Sequence, residues 1–299
     1  MTIAQENSIL SLIGTDPNGF LPIEIQKLMF IFSQEECQVP LYDFIPYQQG
    51  CYSPTLAADI HKLADRRLLK YSLEGHEKKR WMLTEEGQIR VVAHRHTAVR
   101  FASFRRAYPL RGKELLLDVY HRYPYFCIKS EIAELLLRDD NAALVAIRNA
   151  APKTHTPLAS IGYEGRSFEN YLNALIKNGI KVLCDVRRNP ISRKYGFSKA
   201  TLENACKGIG VEYRHYPDLG IPSYERQELR CQTDYDNLFA RYEKDILPKV
   251  GESVCEIARL VTAEECVALT CFEANPAQCH RTRVLAAITR KTGVEAELI

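Results

Sequence analysis

Apolar residues return every three or four positions along Ile23-Glu-Ile-Gln-Lys27-Leu28-Met-Phe30-Ile31-Phe32, a spacing that predicts an amphipathic helix. Tyr42 to Pro54, rich in aromatics and turn residues, reads as a loop. Ser53 then offers an N-cap hydroxyl and Pro54 a preset first helical residue, so a second helix starts there. Leu56, Ile60, Leu63 and Ala64 form its core stripe. Leu68 to Tyr71 and Lys79 to Thr84 bracket the charged Glu74-Gly75-His76-Glu77 and predict a short β-hairpin, after which Thr84-Glu85-Glu86 opens another helix. Helix, helix, hairpin, helix is the order of a winged helix-turn-helix.

Two further helical patterns, around Leu115–Tyr120 and Ile132–Leu137, complete this first region. Ala150 to Pro157 carries two prolines among small polar residues and reads as a linker. Beyond it the period alternates. Leu158–Tyr163, Ile180–Val186 and Val211–Tyr216 are strand-like, and helical stretches follow from Ser167 and Ser198. Helices around Tyr235–Leu247 and Ser253–Val261 precede a last strand at Val267–Cys271 and a last helix from His280. Strands alternating with helices predict a mostly parallel sheet. The chain is therefore expected to be an α/β protein, with a winged-helix domain and helical extension over residues 1–150 and a mostly parallel α/β sandwich over 157–299.

Composition narrows the functional classes. With 299 residues, 46% of them hydrophobic, two domains can each bury a core. No apolar run of about 18 residues and no basic-then-apolar leader is present, so a cytoplasmic protein without membrane contact is expected. Ten cysteines lie between Cys37 and Cys279 without a Cys-x-x-Cys pair, which reads as reduced thiols rather than a disulfide framework or zinc ribbon. The net charge of +3 is too mild to signal nucleic-acid binding by itself, although a local basic face would suffice. Such a face is available on the helix from Pro54 and its wing: Lys62, Arg66, Arg67, Lys79 and Arg80 could meet phosphates of duplex DNA.

The run Gly50-Cys-Tyr52-Ser53-Pro54 leading into Leu63-Ala-Asp65-Arg-Arg67-Leu68-Leu69 resembles antitoxin-associated winged-helix domains of the Panacea type, over about residues 20–95. The second region resembles the domain-of-unknown-function family 488 over about residues 158–290. The motifs are Ile161-Gly-Tyr163-Glu164, Asp185-Val-Arg187 with Pro190 and Ser192, Tyr213, Leu219-Gly220, and Cys271-x-Glu273 with Cys279-His280-Arg281. It departs from that family at Gly220-Ile221-Pro222, where a second glycine is usual. The resemblance implies a fold and a set of positions, and no reaction.

Ligands of open parallel sheets sit outside the carboxyl ends of the strands. That edge would gather Tyr163, Glu164, Asp185, Arg187 and Arg188 with Cys271, Glu273, Cys279, His280 and Arg281. Asp185, Glu273, Glu164 and Cys271 are the candidate catalytic groups; Tyr163, Arg187, Arg188, Cys279, His280 and Arg281 are the candidate ligand-binding groups. Three chemistries suit this set. A thiolate nucleophile at Cys271 lacks the Cys-x5-Arg phosphate loop, since Ala277 stands at the arginine position. A metal would need the neighbours Cys279 and His280 to reach one ion, which adjacent residues seldom do, and neither metal nor cofactor is expected. A recognition pocket for a nucleotide or other anionic small ligand is the simplest. The expected function is a DNA-binding protein whose second domain recognises or processes a nucleic acid or nucleotide; a small-molecule enzyme or a non-catalytic ligand-sensing regulator are the alternatives. No pattern in the chain specifies an oligomeric state.

Overall fold

The computed structural model describes residues 1–72, 79–226, 229–263 and 265–299. They divide into two compact units, Met1–Ala151 and Pro152–Ile299.

In the first unit α1 (Ile3–Ile13) starts from a capping box in which the Thr2 hydroxyl accepts from the Gln5 N–H and the Gln5 side chain accepts from the Thr2 N–H. The periodicity that begins at Ile23 overlooks this helix. α2 (Pro22–Glu35) is buried from Glu24 to Ser33, so it is the central helix of the unit. Phe30 meets Phe44, Tyr123 and Phe126 edge to face, with centroids 4.7–5.2 Å apart.

The stretch expected as a loop contains an antiparallel pair, β1 (Ile45–Tyr47) and β2 (Gly50–Tyr52). Three-residue strands are too short to display a period of two. The helix α3 (Pro54–Asp65) begins as expected, the Ser53 hydroxyl accepting from the Leu56 N–H, and buries Leu56, Ile60 and Leu63. β3 (Leu69–Tyr71) pairs antiparallel with β4 (Trp81–Leu83), register Leu69↔Leu83. The charged tip expected at 74–77, with His76 and Lys78, lies outside the described residues. α4 (Glu85–Ala93), α5 (Arg95–Ala107), α6 (Gly112–Arg122), α7 (Ala133–Leu136) and α8 (Asn141–Asn149) complete the unit.

The second unit alternates as predicted: β5 (Leu158–Gly162), α9 (Phe168–Lys177), β6 (Val182–Asp185), α10 (Lys199–Gly208), β7 (Glu212–His215), α11 (Gln232–Arg241), α12 (Gly251–Thr262), β8 (Val267–Cys271), α13 (Arg281–Thr292) and β9 (Glu297–Leu298). All five strands are parallel in the order β7-β6-β8-β5-β9. β5, β6 and β8 are buried at every position, as strands covered on both faces must be. Because β8 inserts between β5 and β6, the ends of three strands meet at one edge. Gly162 terminates β5 there. A Cβ at this position would lie 2.1 Å from the Glu273 carbonyl oxygen, so glycine is what lets the segment after β8 close over β5. Among the described residues no helix is long and apolar enough to cross a membrane.

Candidate functional site

Asp185, the last residue of β6, is fully buried. Its carboxylate accepts from Arg187 Nε at 2.8 Å, a terminal Arg187 nitrogen at 2.5 Å, the Arg187 backbone N–H at 3.1 Å and the Tyr213 hydroxyl at 2.6 Å. Arg187 also donates to the Tyr163 hydroxyl (2.9 Å) and the Phe197 carbonyl (2.8 Å). Burial works against the guanidinium charge, but the Asp185 contact outweighs it and holds Arg187 above its ordinary pKa; burial, then Asp185, drives the Tyr213 phenol upward. With its oxygens engaged in this way, Asp185 acts as an anchor for Arg187. Gly220 supports the same corner, since a Cβ there would come within 2.1 Å of the Arg188 backbone nitrogen. The sequence therefore keeps a glycine where backbone contact demands one, and Ile221 beside it is buried.

Cys271 ends β8 and is 1% exposed. Its thiol donates to Glu273 Oε2 at 3.1 Å, and its sulfur lies 3.9 Å from His280 Nδ1. The other carboxylate oxygen of Glu273 pairs with the Arg226 guanidinium. One ligand atom each from Cys271, Cys279 and His280 falls within 4.8 Å of the other two. Adjacent residues seldom reach one ion, yet Cys279 and His280 bring ligand atoms to one point here, and the local backbone explains why. Asn275 Oδ1 caps the single turn Pro276–Gln278, Cys279 is extended (φ −126°, ψ 129°), and His280 is already helical (φ −61°, ψ −23°). Two neighbours in different backbone regions can aim at one point.

A hydrogen bond from the Cys279 thiol pulls the Cys271 pKa down against the opposing effect of burial, and His280 adds to the pull. The Cys279 thiol moves the other way, raised by burial and by the Cys271 sulfur. Burial disfavours a charged Glu273, yet Arg226 and the two thiols bring it down to about 2. Burial pushes the His280 imidazole down, but Cys271, the Val186 carbonyl and Glu273 together raise it above its ordinary value. Cys271 and Glu273 are thus favoured as anions while Cys279 and His280 hold their protons more firmly, a set suited to a nucleophile or to metal ligands.

Cys271, Glu273 and His280 line a cavity of about 500 Å³. Arg187, Arg188, Arg193 and Arg226 line it too. Arg281 does not: it is fully buried, donating to the Ser160 hydroxyl (2.8 Å) and to the Ile161 and Glu273 carbonyls (2.8 and 3.2 Å). The shared anion site expected for Arg187 and Arg281 is replaced by a brace between β5 and the segment after β8. Glu164 is a second brace, accepting from the Ala274 N–H at 3.0 Å. Arg226 and Arg193 escaped the sequence reading because their segments carry no periodicity; the basic run Arg187-Arg188 through Arg193-Lys194 was the available signal for Arg193.

In the first unit, Lys62 pairs with Asp59 (2.9 Å) and Arg66 with Glu6 (2.6 Å). Arg80 lies 3.8 Å from Glu24, and the Lys79 ammonium sits 5.8 Å from the Tyr71 ring centroid. Arg67 is exposed and left-handed (φ 60°) just past the end of α3.

A parallel α/β domain with a basic cleft at the carboxyl ends of its central strands is the class these features define. Residues 167–288 match the family described as Domain of unknown function DUF488. The match supports placing the C-terminal domain in that family, and it leaves out β5 with Tyr163 and Glu164. No curated protein and no solved structure matches the chain.

Proposed function

We propose that the second unit recognises the phosphate of a nucleotide or of a nucleic-acid segment in the 500 Å³ cavity. The observation that carries this reading is that Arg187, Arg188, Arg193 and Arg226 line one cavity together with Cys271, Glu273 and His280. Arginine suits phosphate because its planar fork donates two parallel hydrogen bonds. Arg188 and Arg193 are the groups to meet the ligand, since neither has a carboxylate partner among the described residues, whereas Arg187 and Arg226 are held by Asp185 and Glu273. Calorimetric titration of the full chain with a nucleoside triphosphate and with a short single-stranded oligonucleotide tests this. Binding is expected to weaken about tenfold or more in Arg188→Ala/Arg193→Ala, each lost charge-assisted contact being worth about 1.5 kcal/mol or more. Equal affinity in the double variant, or no binding by the wild type, ends the reading.

A second reading concerns the first unit, as a winged helix that holds duplex DNA by its backbone. It is supported by the order α1, α2, α3, hairpin and by Arg67, Lys70 and Lys79, which are exposed and have no carboxylate partner among the described residues. Fluorescence anisotropy of the full chain on a DNA duplex is expected to show affinity that falls with salt and weakens in Arg67→Ala/Lys70→Ala. Salt-independent binding, or none, removes it.

A further inference from the structure

We propose that Cys271, Cys279 and His280 bind a divalent cation of the zinc(II) class, with Glu273 or a ligand oxygen in the fourth position. This goes beyond the phosphate reading, because the donors would hold the ion with the cavity otherwise empty.

Zinc takes thiolates at about 2.3 Å and imidazole at about 2.0–2.1 Å, so ligand atoms around a tetrahedral ion stand about 3.5–3.8 Å apart. Here the three ligand atoms lie within 4.8 Å of one another, and Cys271 Sγ is 3.9 Å from His280 Nδ1. Small χ rotations close the difference. Glu273 Oε2, 3.1 Å from the same sulfur, is in reach of the fourth position.

Three independent features go with this donor set. First, His280 Nε2 donates to the Val186 carbonyl at 3.0 Å, which turns the ring so that Nδ1 faces the sulfurs, where an ion would displace any proton on it; a ligating histidine is oriented in this way. Second, charge balances: two thiolates cancel a divalent ion, and Arg226 already answers the Glu273 carboxylate. Third, access is one-sided. Cys279 is fully buried, whereas Cys271, Glu273 and His280 border the cavity, so an ion there is closed behind and open in front. Two sulfurs and an imidazole select zinc over magnesium or calcium, which prefer oxygen shells.

The test uses the full chain, purified with reductant and without chelator. Elemental analysis is expected to find about one zinc per chain. Stripped wild-type protein, titrated with zinc against a chromophoric chelator, is expected to bind with micromolar or tighter affinity. Cobalt(II) in its place is expected to produce thiolate-to-metal charge-transfer absorption. Cys271→Ser and His280→Ala should each weaken zinc by about 100-fold. Because such variants can unfold, the wild-type titration stands by itself: no zinc at millimolar concentration, or a Cys271–Cys279 disulfide as the sole product of the reduced and re-exposed protein, would overturn the proposal. The phosphate reading is judged separately, by titrating nucleotide into both stripped and zinc-loaded protein; zinc binding without nucleotide binding would sink that reading and leave this one standing.

Discussion

Around α3 Lys62 and Arg66 face carboxylates, whereas Arg67 and Lys70 just beyond it do not; around the cavity of the second unit Arg187 and Arg226 face carboxylates and, among the described residues, Arg188 and Arg193 do not. Lys62 and Arg66 are answered by Asp59 and Glu6, and Arg80 approaches Glu24. Arg188 and Arg193 have no carboxylate partner among the described residues, while Arg187 and Arg226 are fixed in place by Asp185 and Glu273. A tally of basic residues favours α3 and its wing, and the pairing leaves unanswered cations both there, at Arg67, Lys70 and Lys79, and at the cavity, at Arg188 and Arg193, among the described residues. Capacity for phosphate follows the charge left unneutralised, because a partnered cation must surrender or share its carboxylate before it meets another anion.

The comparison breaks most visibly at its anchors. Asp185→Ala strands the buried Arg187 charge and is expected to cost about 3–5 kcal/mol. Urea unfolding followed by circular dichroism would register it, while emission of Trp81, the single tryptophan and a buried residue of the first unit, should keep its midpoint. A wild-type midpoint in both signals would mean that the ion pair contributes nothing.

Glu24 offers the matching test in the first unit, where it accepts from Arg111 at 2.9 Å, from Leu21 N–H at 2.9 Å and from Gly112 N–H at 3.1 Å. Glu24→Gln should lower the Trp81-monitored stability by about 2 kcal/mol at neutral pH. Burial opposes ionisation of this carboxyl, but the Arg111 and backbone hydrogen bonds prevail and set its pKa below the ordinary glutamate value. A depressed folded-state pKa means the contribution is complete above the unfolded value and lost as pH falls through the folded one. The gap between wild type and variant should therefore close in acid; a constant gap down to pH 2 would show that the hydrogen bonds do not require the charge.

Ligand measurements sharpen the contrast with smaller effects. Arg188→Ala/Arg193→Ala should lose tenfold or more in nucleotide affinity, with stability changed by less than about 0.5 kcal/mol, as expected of exposed side chains. The smallest expected change is for Lys62→Ala, whose ammonium already has Asp59: duplex affinity should fall by less than about twofold, set against a clear loss in Arg67→Ala/Lys70→Ala. A reversal of that order would restore α3 as the principal phosphate surface.

By itself the sequence determined what short-range rules dictate. Ser53 and Pro54 start α3 because a hydroxyl and a preset φ act within one turn, and the alternation after Pro157 announces a parallel sheet because each period reports a local geometry. The edge where Asp185, Cys271 and Glu273 meet followed from that topology. Tertiary structure decided the rest. β1 and β2 depend on partners their three residues cannot advertise, and Arg226 reaches Glu273 from 47 positions away. Arg281, one residue from His280, turns inward to brace β5 while His280 turns to the thiols. Such roles depend on which side chains converge from distant strands and on how each backbone dihedral aims them, and a linear pattern carries neither.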